Sequence, residues 1–419
     1  MTAQATNWSG NITFSARAVH RPSTLDELQT IVARSERLRA LGTGHSFNRI
    51  ADTTGDLVSL AELPGAAEVD EHNGTVTVGA GLRYGEVTGV LQASGRALPN
   101  LGSLPHISVA GACATGTHGS GDANRVLAAA VSALDVVTAS GDVVTLRRGD
   151  DKEFGGAVIA LGSLGIVTSL TLDTVEAFEV AQFVYEDMPE ESLLDNFEAV
   201  FAAAYSVSAF TDWTSRRFKQ VWLKSSEPSP DPPPEWLGAT LASEPRNPVP
   251  GMSPVHCTEQ LGVPGPWHDR LPHFRLAFTP SSGEELQSEY LLPRDQATDA
   301  LRALGAIRDA IGSVLQVSEI RTVAADDLWV SPFYGRETVA FHFTWVKDAE
   351  AVTPVVAAIE DTLRPFDVRP HWGKVFSMQP PAIAAQYPRF EDFQELVRTL
   401  DPDGKFRNDF VDRYLFGDA

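Results

Sequence analysis

The sequence predicts a two-domain protein built from both helices and strands, and three observations lead to this prediction. The chain has 419 residues, which is more than one ordinary hydrophobic core organises. It opens with the pattern of a strand, a helix and a second strand, which runs into a glycine-rich loop at residues 41–48. Beyond about residue 180, aromatic residues become more frequent and the predicted elements become longer. This change of character is expected at a domain boundary.

Composition and charge indicate a soluble globular protein and narrow the class of partner. Apolar residues make up 43% of the chain, which is normal for a globular protein and far from disorder. The formal net charge of −22 argues against a nucleic acid or an anionic membrane as partner. No secretory signal and no apolar run of membrane-spanning length are visible, so we expect a cytoplasmic protein, and we expect a monomer. The two cysteines, Cys113 and Cys257, form no disulfide framework.

Local patterns predict the opening strand–helix–strand unit. Residues 11–14 alternate polar and apolar side chains and predict a short strand. Thr24 and Glu27 form a capping box, in which each side chain is expected to meet a backbone amide. The apolar face of the helix that follows consists of Leu25, Leu28, Ile31 and Val32. Residues 38–41 predict the second strand, and ligands of α/β sheets bind at the carboxyl ends of such strands.

The loop at residues 41–48, which we call the histidine loop, is predicted to present an imidazole to a phosphorylated ligand. Its glycines allow a tight turn and a close approach of the backbone to a ligand. The residues assigned to the ligand site are Leu41, Gly42, Thr43, Gly44, His45 and Ser46. The last glycine of the Rossmann fingerprint is missing and no helix begins at this loop, which disfavours a nicotinamide-binding domain.

A second candidate stretch, residues 99–121, is rich in Gly, Ser, Thr and His and shows no amphipathic period. We expect it to be irregular and to offer backbone amides to phosphates. His106 and His118 could bind zinc together with His45, but metal-ligand spacing and a supporting carboxylate or cysteine cluster are absent. Cys113 is expected to be a small buried residue.

Further patterns predict the remaining elements of the first half and two irregular segments. Strands are predicted at residues 57–60, 75–78 and 168–172, a helix at 84–91, and a hairpin at 136–146 that turns at 140–142. The proline-rich residues 228–234 are expected to form an exposed loop. Residues 401–408 are expected to contain a turn.

A second constellation of polar residues lies on two predicted strands, 319–323 and 338–345, and on the segment that follows them. Alternate residues of a strand share one face. The constellation comprises Glu319, Arg321, His342, Thr344, His371 and Lys374. These donors and acceptors of both signs suit the recognition of several hydroxyls on a small polar substrate. Arg321 and Lys374 could stabilise a developing alkoxide while the substrate loses hydride. No Ser-His-Asp order or elbow motif favours acyl transfer.

These motifs resemble a known family. Residues 42–46, 105–119 and 371–374 are similar to those of the vanillyl-alcohol-oxidase-type flavoproteins, and within them most similar to the alditol (xylitol/sorbitol) oxidases. The similarity runs over essentially the whole chain. The resemblance implies an α+β two-domain flavoprotein with a bipartite FAD-binding domain, residues 1–180 and 371–419. Residues 181–370 would form a substrate cap built on a large antiparallel sheet flanked by helices.

The resemblance also implies a role for each site residue. His45 would carry the FAD through a covalent bond from its ring to the 8α-methyl group, which tends to raise the redox potential. The FAD site would further include Ser103, Ser108, Gly111, Thr115, Gly116, Thr117, His118, Val167 and His371. The polyol would be held by Ser103, Glu319, Arg321, Thr344 and Lys374, with His342 beside the reacting carbon. The implied catalytic set is Lys374, Arg321, His342 and Glu319.

The implied reaction oxidises the terminal primary alcohol of an alditol such as xylitol or sorbitol to the aldose. Hydride passes to flavin N5, and dioxygen is reduced to hydrogen peroxide. Gly102 favours an oxidase over a dehydrogenase, since a bulkier residue near this position can block oxygen in related enzymes. Berberine-bridge-type relatives use a cysteine for a second flavin bond. The motif around Cys113 is instead that of the polyol oxidases, so one bond is expected.

Two other functions remain open from the sequence. An aldonolactone oxidase of the gulonolactone type shares the His-Trp-x-Lys segment and a Glu-x-Arg pair. A flavin-binding polyol sensor would use Glu319, Arg321 and Lys374 for binding only. Turnover of a sugar lactone would indicate the first, and the absence of peroxide on addition of xylitol would indicate the second.

Overall fold

The structure, a computed structural model, describes residues 5–227, 232–277 and 283–417. The strands that come first along the chain are β1 (Ala18–His20), β2 (Leu38–Ala40), β3 (Asp56–Val58), β4 (Ala67–Asp70), β5 (Thr75–Gly79), β6 (Arg96–Ala97), β7 (Val131–Val137), β8 (Val143–Arg147), β9 (Ile166–Asp173) and β10 (Val175–Glu176). The α-helices among them are α1 (Leu25–Arg34), α2 (Tyr84–Ala93), α3 (Val109–Thr115) and α4 (Phe154–Ala157).

These strands form two main sheets. Strands β1, β3 and β2 form a parallel sheet in that order, and the histidine loop follows β2 directly. Strands β4, β5, β9, β7 and β8 form an antiparallel sheet, and β6 pairs with β10. The predicted strands and helix are confirmed as β3, β5, β9 and α2. The predicted hairpin is confirmed as β7 and β8, and its turn contains Gly141 at φ +91°, a conformation that favours glycine.

Helix α1 begins where the sequence predicts, although its cap and its apolar face differ in detail. The Thr24 hydroxyl accepts a hydrogen bond from the Glu27 amide at 3.2 Å. The Glu27 carboxylate accepts from the amide of Ser23 at 2.8 Å, where the capping box predicted the amide of Thr24. Leu28 is fully buried, whereas Leu25 is 41% exposed. The buried face is therefore narrower than the sequence pattern predicted.

Two predictions for irregular and extended segments are wrong in part. Residues 11–14 form no strand, because Thr13 alone in this segment makes an isolated β-bridge, which pairs it with Thr6. The stretch 99–121 is not irregular throughout, since α3 lies within it. Helix α3 consists of small and apolar residues without a polar face, which is typical of a helix packed inside a protein and leaves no amphipathic period to detect.

The second half of the chain is dominated by a ten-stranded antiparallel sheet. Its strands are β11 (Glu179–Pro189), β12 (Ser206–Thr211), β13 (Arg217–Ser225), β14 (Glu235–Trp236), β15 (Ala239–Leu241), β16 (Gly265–Pro266), β17 (Glu285–Pro293), β18 (Leu315–Val323), β19 (Thr338–Val346) and β20 (Arg369–Pro370). The order is β14-β15-β11-β13-β12-β18-β19-β17-β20, with β16 beside β11. The helices of this region are α5 (Glu190–Asp195), α6 (Phe197–Phe201), α7 (Ala297–Gly305), α8 (Arg308–Gly312) and α9 (Ala349–Leu363). The predicted antiparallel sheet flanked by helices is confirmed.

The two faces of this sheet differ in character because side chains alternate along each strand. Phe341, Phe343 and Trp345 of β19 are fully buried in one apolar cluster with residues of α5, α6, α7 and α9. His342 and Thr344, which lie between them in sequence, point to the opposite face. Neighbouring strands follow the same alternation, so one face packs on helices and the other carries polar groups.

The end of the chain joins the core of the first half. It contains α10 (Pro380–Ala384), α11 (Phe390–Leu400) and α12 (Asp409–Val411), and residues 372–415 share one apolar cluster with residues 28–180. Lys405 donates to the carbonyls of Val32 and Ala139, each at 2.7 Å. Asn408 donates to the carbonyl of Asp52 at 2.7 Å. Side chains of the C-terminal segment thus complete the backbone hydrogen bonding of the N-terminal region.

Three further sequence predictions concern the proline-rich loop, the C-terminal turn and membrane-spanning helices. Residues 228–231 of the predicted proline-rich loop lie outside the described residues, while residues 232–234 have no helix or strand. The predicted turns at residues 401–408 are present. Within residues 5–227, 232–277 and 283–417, no helix is both long enough and apolar enough to cross a membrane.

Candidate active site

A cavity of about 590 Å³ lies between the N-terminal region and the polar face of the ten-stranded sheet. Its walls are the histidine loop, α3 with the segments on either side of it, strands β17, β18 and β19, and residues 371–374. Every residue predicted for the site lines this cavity except Gly116. Gly116 instead ends α3 in the left-handed conformation, φ +73°, where glycine is favoured.

The histidine loop follows β2 and passes close to the segment around Ser108. A Cβ added at Gly42 would lie 2.5 Å from Ser108 Oγ, and one added at Gly111 would lie 2.8 Å from the same atom. Both glycines line the cavity. Gly44 adopts φ +71°, and its carbonyl accepts a hydrogen bond from the Trp8 amide at 2.8 Å. The histidine loop and the segment around Ser108 therefore lie close together because both positions are glycines.

His45 is held in one orientation with one ring nitrogen unengaged. Its Nδ1 lies 2.9 Å from Thr43 Oγ1, and its ring stacks on Trp8 with 5.1 Å between centroids. Nε2 is buried and has no hydrogen-bond partner among the described residues. Burial, with smaller contributions from His106 and Arg83, lowers the pKa of His45 to about 4, so the ring is neutral near pH 7.

Side chains from three neighbouring strands form one row on the polar face of the sheet. Cross-strand pairing sets Glu319 of β18 opposite His342 of β19, and sets His342 opposite Glu289 of β17. Lys374 reaches this row from the segment after β20, and its Nζ lies 2.8 Å from Glu289 Oε2 and 2.7 Å from His342 Nδ1. His342 Nε2 lies 3.1 Å from Thr344 Oγ1. Because a charged Lys374 can only donate, we assign the His342 proton to Nε2.

Charges in this row stabilise one another. Burial by itself raises the pKa of Glu289, but Lys374 and His118 outweigh it and hold that pKa well below its usual range. Burial lowers the pKa of Lys374, and Glu289 opposes this shift. Burial and the Lys374 charge hold the pKa of His342 well below its usual range. The row therefore contains an ionised carboxylate, an ammonium and a neutral imidazole near pH 7.

A second charged pair lies beside the row. Arg321 contacts Glu319 through a short hydrogen bond and donates to Ser103 Oγ at 2.9 Å. Glu319 also accepts from His273 Nε2 at 2.9 Å. Burial by itself raises the pKa of Glu319, yet the Arg321 guanidinium and His273 hold it well below its usual range. Ser103 connects this pair to the N-terminal region.

His371 and His118 close the site from the N-terminal side. The His371 amide donates to the Glu289 carbonyl at 3.0 Å, and its Nδ1 accepts from the Gly373 amide at 3.1 Å. Burial lowers the pKa of His371 to about 3. His118 Nε2 lies 3.2 Å from Glu289 Oε1. Glu289 thus contacts both histidines and the lysine.

Sequence reasoning missed Glu289 and His273, although both line the cavity. A signal for Glu289 was present, because Glu285, Gln287 and Glu289 alternate with Leu286, Ser288 and Tyr290 in the period of a strand. No comparable signal marks His273, which lies outside any helix or strand. Its role depends on contacts with residues that are distant in sequence.

The residues considered for zinc binding or for a second flavin bond have other contacts. His106 Nε2 is 2.7 Å from the Leu276 carbonyl oxygen, and His118 contacts Glu289. Among the described residues, no group of three or more His, Cys, Asp or Glu side chains has an arrangement that could hold a metal ion. Cys113 is buried, does not line the cavity, and lies 3.6 Å from the Tyr84 hydroxyl through its Sγ. Burial raises the pKa of Cys113 to about 12, so its thiol is protonated.

Comparisons with known proteins agree with this architecture. Residues 16–147 match the family described as FAD binding domain, and residues 282–414 match the family of D-arabinono-1,4-lactone oxidase. The chain is 55% identical to an alditol oxidase from a Streptomyces species, over 100% of both chains. It is 29% identical to L-gulono-1,4-lactone dehydrogenase of Mycobacterium tuberculosis, over 98% of both. The crystal structure of cholesterol oxidase from B. sterolicum matches with a TM-score of 0.80 at 16% identity, over 98% of this chain and 96% of that one, which shows a shared fold.

Proposed function

Because the chain belongs to the alditol oxidase family, we propose that it oxidises the terminal primary alcohol of an alditol to the aldose. Xylitol and sorbitol are the expected substrates, and dioxygen is the expected electron acceptor. The observation that carries this proposal is the pair of buried ion pairs, Lys374 with Glu289 and Arg321 with Glu319, on the sheet face that shares one cavity with the histidine loop.

The residues of the N-terminal region fit FAD. Gly42 and Gly111 let the histidine loop and the segment around Ser108 approach each other, because a Cβ at either position would collide with Ser108 Oγ, and both segments line the cavity. The Nε2 of His45 is a buried polar atom without a hydrogen-bond partner among the described residues. Bound FAD would supply a hydride acceptor at N5 and would deliver the electrons to dioxygen, which yields hydrogen peroxide. The remaining contacts would come from Leu41, Thr43, Gly44, Ser46, Ser103, Thr115, Thr117, His118, Val167 and His371.

The cationic groups would act on the alcohol oxygen. Lys374 Nζ and the Arg321 guanidinium lie on the cavity wall and would stabilise negative charge on that oxygen as the C–H bond breaks. Their partner carboxylates hold them in place, and burial strengthens each interaction. Glu319, Thr344 and Ser103 would bind further hydroxyls of the chain. His342, neutral and protonated at Nε2, would lie beside the reacting carbon.

We propose that His45 forms a covalent bond with the FAD. One support is the fixed ring of His45, which stacks on Trp8 in the loop that follows β2. The other is its neutral state near pH 7, which leaves the lone pair of a ring nitrogen available. We expect acid-precipitated wild-type protein to stay yellow and the His45→Ala variant to release all flavin into the supernatant. The matched control is His106→Ala, which should retain its colour. Free flavin in the wild-type supernatant would disprove the bond.

The proposed activity is tested by measuring peroxide release from the purified holoenzyme. Xylitol and sorbitol should each give peroxide, and L-gulono-1,4-lactone should give much less at equal concentration. The match of residues 282–414 to a lactone oxidase family supports the lactone as a second candidate substrate. Rapid turnover of the lactone without turnover of either alditol would favour that candidate. A protein that binds alditol but produces no peroxide would be a sensor.

We further propose the domain division expected from the sequence. Residues 1–180 and 371–419 would bind FAD, and residues 181–370 would form the cap. Residues 372–415 pack in one apolar cluster with residues 28–180, which supports their joint assignment; residues of the proposed cap, among them Trp267 and Phe333, also belong to this cluster. The separate cluster between the ten-stranded sheet and its helices supports the cap.

A further inference from the structure

Lys224 is a fully buried lysine beside His273, which lines the cavity. It lies on β13 with a residue exposure of 1%. Its Nζ contacts the carbonyl oxygens of Leu271 and Pro272, the latter at 3.1 Å, and lies 3.0 Å from Nδ1 of His273. These contacts use all three hydrogens of the ammonium group. Burial lowers the pKa of Lys224 to about 7, although Glu319 opposes this shift, so the lysine is protonated below that pH.

The contacts of Lys224 determine which nitrogen of His273 carries the proton. A protonated lysine only donates, so His273 Nδ1 must accept. The proton therefore lies on Nε2, which donates to Glu319 Oε1 at 2.9 Å. The rings of Phe210 and Trp222 pack edge-on against the imidazole, with centroid distances of 5.6 and 5.2 Å. Burial and the Lys224 charge lower the pKa of His273 to about 4, so the ring is neutral near pH 7.

The chain of contacts continues to the cavity. Glu319 accepts from His273 through one oxygen and from Arg321 through the other. Arg321 donates to Ser103 Oγ, and the His273 amide donates to the Ser103 carbonyl at 3.1 Å. The lysine is thus connected through His273 to three residues that line the cavity. Each carboxylate oxygen of Glu319 keeps a lone pair for a ligand hydroxyl.

We propose that Lys224 and His273 are positioning residues that determine the specificity of this site for polyols. Lys224 holds His273 in the Nε2–H tautomer, and His273 in turn fixes Glu319 as an oriented acceptor for an alditol hydroxyl. This proposal rests on the proposed alditol oxidation. A primary alcohol without further hydroxyls does not need the Glu319 acceptor, so its oxidation should be nearly independent of Lys224.

The tautomer can be observed without any turnover. In ¹⁵N-histidine-labelled holoenzyme at pH 6, where Lys224 is protonated and His273 is neutral, the His273 signals are identified by their absence in His273→Gln. We expect the neutral Nε2–H form in the wild type and its loss or mixing with the Nδ1–H form in Lys224→Met. An Nδ1–H form in the wild type, or the same Nε2–H form in Lys224→Met, would overturn the proposal.

Kinetics test whether Lys224 acts through Glu319. We expect Lys224→Met to lower kcat/KM for xylitol about tenfold or more, because a hydrogen bond to a buried charge is lost. The kcat/KM for 1-pentanol should stay within about threefold of the wild-type value. Adding Lys224→Met to Glu319→Gln should cause little further loss, because both act on one acceptor. The matched control is Lys219→Met on the same strand, whose side chain is 38% exposed and should have no effect. Multiplicative losses in the double variant, or equal losses for both alcohols, would contradict the proposal.

A second pair of variants covers the case in which Lys224→Met does not fold. A glutamine at position 273 retains a donor toward Glu319, whereas a leucine does not. His273→Gln should therefore keep kcat/KM for xylitol within about threefold of wild type, and His273→Leu should lose about tenfold or more. Equal losses would reject the positioning role. If the wild type oxidises no alditol, the proposed function fails, and the tautomer measurement still decides the Lys224–His273 relation.

Discussion

At the scale of single residues, the site depends on buried charges that hold one another in place. Glu289 is the central group, since its carboxylate contacts Lys374 and lies 3.2 Å from His118 Nε2. Its ionised form favours the protonated form of Lys374, which burial alone would disfavour. The donor that would act on the alcohol oxygen is therefore maintained by a residue that need not touch the substrate.

A pH profile tests this relation. In the proposed mechanism Lys374 would act as a protonated donor, so its contribution would be present below its pKa and lost as the pH rises through that pKa. Glu289→Gln removes the charge that raises the pKa of Lys374. We therefore expect the basic limb of the anaerobic flavin-reduction rate to move to lower pH, as measured by stopped-flow absorbance with xylitol.

Lys374→Met is the matched variant for this profile. It removes the titrating group, so the basic limb should disappear and flavin reduction should be about 10²- to 10³-fold slower, as for the loss of one oxyanion donor. FAD content should be unchanged. A basic limb in Glu289→Gln that coincides with that of the wild type would contradict the assigned role of Glu289.

At the scale of elements, alternation along the strands explains which parts of the site the sequence could predict. Glu319 and Arg321 could be assigned to one face because they lie two apart on one strand. The register between two strands cannot be derived from the side-chain pattern of one strand, so the pairing of His342 with Glu289 could not be predicted. Helix α3 was missed because it has no polar face, and His273 because its partners are remote in sequence.

Strand β2 illustrates how an element positions the site. Its residue Arg39 is 2% exposed and donates to the carbonyls of Leu161 and Phe406 at 2.7 Å, of Gly162 at 2.8 Å, and of Ile50. It therefore ties the strand that precedes the histidine loop to three separate segments. We expect Arg39→Met to lower the free energy of unfolding by about 3 kcal/mol, because several buried carbonyls lose their donor.

Urea unfolding of the FAD-saturated protein measures this loss. Arg37→Met, at an exposed position two residues earlier, is the control and should change the free energy of unfolding by less than about 0.5 kcal/mol. Equal stability of the Arg39 variant and the wild type would show that these hydrogen bonds do not hold the loop.

At the scale of the whole molecule, two layers meet at one cavity. The N-terminal region, completed by the C-terminal segment, contributes the glycine-lined walls and His45. The ten-stranded sheet contributes Glu289, Glu319 and Arg321 on the face that helices do not cover, and the C-terminal segment adds Lys374. The alditol would therefore meet the flavin only where the two layers approach each other, and neither layer alone contains both sets of groups.

The most direct test of this arrangement is anaerobic reduction of the wild-type holoenzyme by a panel of alditols and lactones. We expect xylitol and sorbitol to bleach the flavin rapidly with one aldose formed per flavin, and admission of air to restore the colour with one hydrogen peroxide per flavin. L-gulono-1,4-lactone should bleach it slowly or not at all. A flavin that no alditol reduces, or that a lactone reduces faster than either alditol, would contradict the proposed function.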